Sequence, residues 1–206
     1  MSSMPGAVPS SADPRDAELR ELITRGDLER ATEEALREYG PELIGWLCSI
    51  LPSVADAHDA FSRMSEELWK SLRRFDGRCS VRTWCYMLAR HAAARVRGRT
   101  GKRREVLVSQ IPSLQQAVTR IWNTSQREAA RARDVYAEIR TELDDDDQTL
   151  LILRVDRNLA WRDIAQVLLG EDARPGELTR KAATLRKQYE RVKVRLRELA
   201  ADRLRD

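Results

Sequence analysis

Cysteine, proline, glycine and long apolar runs are all scarce in this sequence of 206 residues. Three cysteines without a Cys-x-x-Cys pair argue against a disulfide framework and against a zinc ribbon. The longest uncharged apolar stretch, residues 43–55, contains Pro52 and is too short to span a bilayer. Residues 1–14 have neither a basic start nor an apolar core, so they predict no signal peptide. We therefore expect a protein of the reducing cytoplasm that has no membrane partner.

Catalytic and metal-binding motifs are missing as well. The two histidines, His58 and His91, fall on separate predicted helices, and no Gly-rich phosphate loop, Gly-x-Ser-x-Gly or His-Glu-x-x-His motif occurs. The acidic run 144–147 lacks the spacing of a calcium-binding loop. Acids at a helix start favour the macrodipole, which is the simpler interpretation of this run. We expect no enzyme, no metal and no cofactor.

The residues that are abundant favour helices. Ala, Leu, Arg, Lys and Glu supply 102 of the 206 positions, and no strand pattern of any length occurs. Residues 98–113 have no helical period and contain two glycines and a proline, which indicates a domain boundary. The sequence therefore predicts an all-α protein with a disordered tail over residues 1–14, helical domains over 15–98 and 131–206, and a flexible linker over 99–130.

Several helix boundaries can be predicted from capping and breaking residues. Gly40 and Pro41 predict that one helix ends and another begins at this point. Ser80 is the predicted N-cap of a helix that runs to about Arg97. Residues 170–176 are predicted to form a turn before a long last helix, and this turn is longer than a compact helix-turn-helix needs.

Positive charge is concentrated in two blocks. Residues 71–104 contain eleven Arg or Lys and one acid, and residues 177–205 contain ten Arg or Lys and four acids. The whole chain has a net charge of only +4, so the remainder is acidic. Arg outnumbers Lys 32 to 5, and Arg is the better bidentate donor to phosphates and base edges. An arginine-rich genome composition also accounts for that ratio, but the clustering favours two contacts with a polyanion.

The helix predicted over residues 80–97 carries the first basic face. Its apolar stripe contains Val81, Trp84 and Leu88, so Arg82, Tyr86, Arg90 and Arg97 are predicted on the opposite side. Arginines with an aromatic residue between them suit single-stranded DNA, because they offer charge to phosphates and a π-face to unstacked bases. A solvated basic face is the alternative interpretation.

The last two predicted helices carry the second basic face. A short helix, a turn and a helix with a basic outer side are typical of a helix-turn-helix. The side opposite the apolar stripe can read base edges or hold phosphates through Arg180, Lys181, Thr184, Lys187, Gln188 and Arg191. The alternative is an ordinary charged helix or a coiled-coil arm.

Taken in order along the chain, these segments resemble a bacterial RNA polymerase sigma factor of the small extracytoplasmic-function type. ITRGDLERATEEALREYGPEL (23–43) resembles the opening helices of that family, and DAHDAFSRMSEELWKSLRRFDG (56–77) resembles its polymerase-binding helix and the following loop. SVRTWCYMLARHAAARVRGR (80–99) resembles the promoter-melting helix of region two. LDDDDQTLLILRVDRNLAWRDIAQVLLG (143–170) and LRKQYERVKVRLREL (185–199) resemble the two parts of region four.

The resemblance implies core RNA polymerase and promoter DNA as partners and admits an anti-sigma factor. It implies polymerase binding through Asp56, Asp59, Ser62, Arg63 and Glu66. It implies capture of the single-stranded minus-ten element through Phe75, Arg78, Ser80, Arg82, Trp84, Tyr86, Arg90 and Arg97. The basic face of the last helix would then read the minus-thirty-five element as duplex.

Two other functions stay open at this point. Ser62 and Arg63 stand where the family usually has a Gln-Glu pair, so the chain could be a sigma-derived helix-turn-helix regulator that no longer binds polymerase. It could also be a helical adaptor whose basic faces meet acidic proteins. Co-purification with core polymerase separates the first alternative from a sigma factor, and salt-sensitive promoter binding that survives competitor DNA excludes the second.

Overall fold

The chain is mostly helical in the part that the structure, a computed structural model, describes: residues 14–98 and 143–203. No strand occurs within these two ranges, which confirms the all-α prediction. The predicted tail and the predicted linker lie outside the described residues, apart from Pro14, which begins the first helix. The helices are α1 (Pro14–Arg25), α2 (Leu28–Ile50), α3 (Val54–Ser71), α4 (Val81–Arg97), α5 (Asp145–Leu151), α6 (Trp161–Leu169) and α7 (Pro175–Arg203).

Short polar side chains cap three of these helices: Ser53 caps α3, Ser80 caps α4 and Asp144 caps α5. The Ser80 hydroxyl accepts a hydrogen bond from the Thr83 amide at 3.0 Å, which confirms Ser80 as the N-cap of α4. Asp144 caps α5 in the same way, with its carboxylate 2.8 Å from the Asp147 amide. The acidic run 144–147 therefore lies in the cap and first turn of a helix, where negative charge is favourable.

The predicted break at Gly40 and Pro41 is wrong, because α2 continues through both residues. A proline inside a helix removes one hydrogen bond and costs roughly 3 kcal/mol. Leu36, Leu43 and Ile44 are completely buried on either side of it. Burying a side chain of this size stabilises the fold by about 1.5–3 kcal/mol, so tertiary packing outweighs the local cost.

Helix α4 lies at the centre of the N-terminal helices. It packs against α3 on one side, against α1 and α2 on others, and against α6 of the C-terminal helices. The core between α2, α3 and α4 contains Leu47, Phe61, Met64 and Leu68, all completely buried. A helix with neighbours on so many sides has a wider buried face than one apolar stripe predicts.

The C-terminal helices pack as a short helix against a long one. Helix α6 lies along α7, where the Trp161 and Tyr189 rings meet edge to face at 5.4 Å. Helix α7 already begins at Pro175, so the connecting turn spans residues 170–174 and is shorter than predicted. Gly170 has φ +91°, a conformation that favours glycine, and its carbonyl accepts a hydrogen bond from the Gln166 side chain.

One hydrophobic core joins the N-terminal and C-terminal helices. Leu153, Ile164 and Val167 of the C-terminal part belong to the same buried cluster as residues of α2 and α4. The separation into two domains with a boundary after residue 98 stays a prediction, but residues 14–98 and 143–203 are packed together. Within these ranges, no helix has both the length and the apolar character to cross a membrane.

Candidate nucleic-acid interface

The arginines of α4 point toward the C-terminal helices. Arg82 forms a bidentate pair with Glu42 of α2, with both distances 2.7 Å, and also donates to the carbonyl oxygen of Arg157 at 2.9 Å. Burial disfavours the charge of Arg82, but the hydrogen bonds and charge of Glu42 outweigh burial and raise its pKa above the ordinary value. Arg90 donates to the carbonyl oxygen of Leu168 at 3.2 Å.

Arginines at the two ends of the basic face of α4 also donate hydrogen bonds to carbonyl oxygens of the protein. Arg78, in the loop before α4, donates to the carbonyl oxygen of Glu171 at 3.2 Å. At the other end, Arg97 donates to the carbonyl oxygen of Ile50 and lies 3.7 Å from the Asp145 carboxylate. The arginines predicted to hold phosphates therefore contact protein oxygens in this arrangement.

Of the three aromatic residues predicted to capture single-stranded DNA, Trp84 and Tyr86 are buried and Phe75 is half-buried. Tyr86 is completely buried, and its ring meets Trp46 of α2 edge to face at 5.3 Å. Tyr86 lies on the side opposite the apolar stripe, but the expectation that this side is open to DNA is wrong for Tyr86, because α2 packs on that side of α4. Trp84 lies in the core, where its indole N–H donates to Ser71 at 3.3 Å and its ring contacts Phe75 at 5.5 Å.

Two titratable side chains where α6 and its turn pack against α4 have pKa values that differ from their ordinary values. Burial raises the pKa of Asp163 on α6, beside Thr83 of α4, although the Thr83 hydrogen bond lowers it. Burial, followed by the charges of Arg90 and Arg95, lowers the pKa of His91 below its ordinary value. His91 lies beside Gly170, whose added Cβ would be 3.7 Å from the imidazole. These shifts follow from packing α6 and its turn against α4.

The predicted polymerase-binding face on α3 carries paired charges. Asp59 accepts from Arg63 at 3.1 Å, and Glu66 pairs with Lys70. Asp56 is held at the helix start by Ser53, which donates to its carboxylate at 2.6 Å. The structure brings these predicted residues together on the outer side of α3. Ser62 is the exception, because its side chain is buried.

The predicted duplex-reading face on α7 is largely solvent-exposed. Lys181 and Gln188 are half-buried, and the others are exposed: Arg180, Thr184, Lys187 and Arg191. The Gln188 amide donates to the Asp147 carboxylate of α5 at 2.7 Å. Gln188 is therefore bound to the first turn of α5, while Lys187 and Arg191 face outward. Leu178, Leu185 and Val192 form the buried side of the helix.

Four residues that no sequence motif singled out organise this interface: Asp16, Arg20, Glu42 and Arg157. The spacing of Asp16 and Arg20 predicts an ion pair along α1, which the structure contains at 2.6 Å. Nothing in that spacing indicates that the pair also reaches the loop before α4. Glu42 and Arg157 meet Arg82 only through tertiary contacts, so no local pattern could have found them.

The three cysteines, all within the described residues, form no disulfide there. Burial, together with the nearby Asp163 carboxylate, raises the pKa of Cys79 to about 12. Burial also raises the pKa of Cys85. Both thiols are therefore held in the protonated form at neutral pH, which makes them poor nucleophiles.

Two comparisons show which known proteins this chain is similar to. Residues 35–103, which include most of α2 and all of α3 and α4, match the Sigma-70 region 2 family. The chain is similar to small RNA polymerase sigma factors, which confirms the resemblance predicted from its motifs. It is similar to the RNA polymerase sigma factor YlaC of Bacillus subtilis (strain 168), at 29% identity over 140 residues. That similarity covers 66% of this chain and 78% of YlaC.

Proposed function

We propose that this protein is a non-enzymatic, cytoplasmic specificity subunit that binds core RNA polymerase, recognises the minus-thirty-five and minus-ten elements and promotes melting. The observation that carries the proposal is the region 2 match over residues 35–103, which contains the whole basic face of α4. The exposed basic side of α7 supports the duplex-reading part. Run-off transcription with purified core polymerase on a promoter library is the direct test, and no promoter-dependent transcript would refute the proposal.

The chemistry of α4 suits a phosphate backbone once the C-terminal helices are displaced. Arg78, Arg82 and Arg90 each donate to a carbonyl oxygen of the C-terminal part. Phosphate oxygens are acceptors of the same kind and carry more charge, so they can replace these carbonyl oxygens. DNA binding by these arginines therefore requires α4 and α6 to separate. Stacking of Tyr86 on a base requires in addition that its ring leave Trp46 of α2.

A second candidate function rests on the polymerase-binding face. Ser62 is buried, and Arg63 is engaged by Asp59, at the two positions where the family usually has Gln-Glu. A protein that kept the sigma fold and lost polymerase binding would have such changes on α3. Co-purification of the full chain with core polymerase distinguishes the two functions.

We expect charge reversal on α3 to weaken polymerase binding. In the variant Asp59→Lys with Glu66→Lys, two half-exposed acids become basic, and each loses an i,i+4 pair on the helix. Exposed pairs of this kind are worth less than about 1 kcal/mol, so the helix should stay folded. Reversing two charges at an interface should weaken core binding by about tenfold, measured by a pull-down at physiological salt.

The matched control reverses two exposed acids away from α3. Glu21→Lys with Glu29→Lys changes the net charge by the same amount on α1 and α2. This control should bind core polymerase as the wild type does. Equal affinities for wild type and the α3 variant would remove this face from the polymerase interface.

We expect Lys187 to read a base in the minus-thirty-five element. Its side chain is exposed on α7, and losing a good base contact should cost about 1–3 kcal/mol at one promoter position. Arg191, which is also exposed, is expected to hold phosphate, so its loss should weaken all sites alike. Selection of promoter variants against Lys187→Ala and Arg191→Ala measures both effects, and Arg180→Ala tests the alternative position for base reading. If only Arg180→Ala relaxes the sequence preference, the residues that read bases lie near the start of α7.

The structure changes the prediction for Gln188. Its amide is engaged by Asp147, so a base contact requires that hydrogen bond to break. Asp147→Ala should then release Gln188 and alter the sequence preference only if Gln188 reads a base. The same selection applied to Asp147→Ala decides this point.

A further inference from the structure

We propose that Asp16 and Arg20 of α1 position the loop 75–80. The loop is then held in one shape when it contacts an unpaired base of the minus-ten element. This inference rests on the proposed function and assigns a positioning role to α1. Helix α1 precedes the matched region 2 segment, which begins at residue 35. The two side chains form the contact between this helix and the loop that leads into α4.

Asp16 acts on the start of α4. Its side chain is almost completely buried, and its carboxylate accepts a hydrogen bond from the amide of Val81 at 2.6 Å. Val81 is the first residue of α4, so its amide has no acceptor within the helix. Ser80 satisfies the Thr83 amide in the same turn. The N-terminus of α4 is therefore capped by one residue of its own and by one from α1.

Arg20 acts on the loop itself. Its guanidinium donates to the Asp16 carboxylate at 2.6 Å, and to the carbonyl oxygens of Gly77 at 3.1 Å and Cys79 at 2.6 Å. A planar guanidinium with several donors fixes two backbone carbonyls relative to one another, which a single point charge cannot do. The same group lies 5.4 Å from the centre of the Phe75 ring.

Gly77 is an independent sign of this close approach. Its φ is +74°, and a Cβ added there would lie 2.9 Å from a guanidinium nitrogen of Arg20. A side chain at this position would meet both a strained backbone and the arginine. The loop therefore has a glycine at the place where Arg20 reaches its backbone.

The contacts of α1 thus hold both ends of the loop. At one end Phe75 packs between Arg20 and Trp84, and at the other end Asp16 holds Val81. Loop residues that are ordered before binding lose less conformational entropy when a base enters. Removing Arg20 should leave the core of α2, α3 and α4 in place and loosen the loop.

The test uses full-length protein assembled with core polymerase. Arg20→Met removes the donors and keeps the apolar stem, and we expect about a tenfold loss of discrimination at one minus-ten position in run-off transcription. Arg25→Met is the matched control, because Arg25 pairs only with Glu21 in the same helix among the contacts described, and both side chains are exposed. This control should keep the wild-type base preference.

Two further measurements separate positioning from general destabilisation. Arg20→Lys keeps the charge without the fork, so it should also lose discrimination, and full rescue by lysine would overturn the proposal. Core binding and the minus-thirty-five preference should be unchanged in Arg20→Met. If the minus-ten base preference of Arg20→Met stays within twofold of the wild type, the proposal is also overturned.

Amide hydrogen exchange of the free chain keeps this inference distinct from the proposed function. Arg20→Met should accelerate exchange at residues 77–81, and Arg25→Met should not. Absence of transcription by the wild type would refute the proposed function. Unchanged exchange in Arg20→Met would refute the positioning role whether or not the wild type transcribes.

Discussion

Replacing Tyr86 with alanine is expected to lower the free energy of unfolding by about 3–5 kcal/mol. The ring is completely buried and rests edge to face on Trp46, so its removal leaves a cavity between α2 and α4. Domains of this kind are stable by only about 5–15 kcal/mol in total, and the loss is therefore a large fraction of the whole. Urea unfolding followed by circular dichroism measures it.

The control for Tyr86 is phenylalanine. Tyr86→Phe keeps the ring and its contact with Trp46, so its midpoint should stay close to that of the wild type. A loss below about 1 kcal/mol in Tyr86→Ala would show that the ring is not packed as the structure places it. Alanine could then serve as a probe of stacking, because it would not destabilise the fold.

The same burial changes how a role of Tyr86 in melting must be tested. Stacking on an unpaired base is worth about 1–3 kcal/mol, which is less than the expected cost to folding. Tyr86→Leu fills more of the cavity than alanine and cannot stack as an aromatic ring does. We expect this variant to slow open-complex formation more than closed-complex binding. Equal permanganate reactivity of promoter thymines in variant and wild type would exclude a stacking role.

Replacing Gly45 with methionine is expected to increase the affinity of the chain for a single-stranded minus-ten oligonucleotide by about tenfold, or ~1.4 kcal/mol. A Cβ at Gly45 would lie 2.9 Å from a guanidinium nitrogen of Arg157, whose carbonyl oxygen accepts from Arg82. A longer side chain there displaces Arg157 and weakens the packing of the C-terminal helices on α4. Affinity rises because a larger fraction of the chain is then competent to bind.

Helix α2 itself should tolerate this change. Glycine in a helix interior costs roughly 0.5–1 kcal/mol relative to alanine, so any ordinary side chain favours the helix. Gly176→Met is the matched control, since Gly176 lies in the first turn of α7 and its added Cβ would meet no atom within 4 Å. This control should leave oligonucleotide affinity unchanged.

Two measurements decide the outcome for Gly45→Met. Fluorescence anisotropy at a fixed salt concentration gives the affinity, and small-angle scattering gives the radius of gyration. The radius should increase as the C-terminal helices leave α4. An increased radius with unchanged affinity would show that this packing does not limit DNA binding. An unchanged radius would show that a side chain at Gly45 does not weaken the packing of the C-terminal helices on α4.

The sequence predicts the local part of this fold well. Serine before an amphipathic segment predicts the start of α4, and acids before an apolar run predict the start of α5, because capping depends on neighbours within a few residues. The same local logic fails at Pro41. There, buried leucines from several turns of α2 outweigh the breaking residue, and only the tertiary structure reveals this.

The sequence predicts which residue types form the candidate site, but it predicts less of what packs around them. The basic residues of α4 and α7 stand out because charge of one sign recurs at helical spacing. The surroundings of Tyr86 were misjudged, since period 3.6 locates one buried face and cannot reveal that α2 covers another. Glu42 and Arg157 escaped notice for a related reason. They lie 40 and 75 positions from Arg82 in sequence and meet it only in the folded chain.

The contact between α1 and α4 has a consequence for how this protein can be divided. The family match begins at residue 35, inside α2, and a fragment cut there would lack Asp16, Leu19 and Arg20. The first amide of α4 would lose its buried acceptor, and the apolar surface that Leu19 covers would face water. Such a fragment would be prone to aggregate, whereas one that starts before Pro14 keeps the helix that completes the domain.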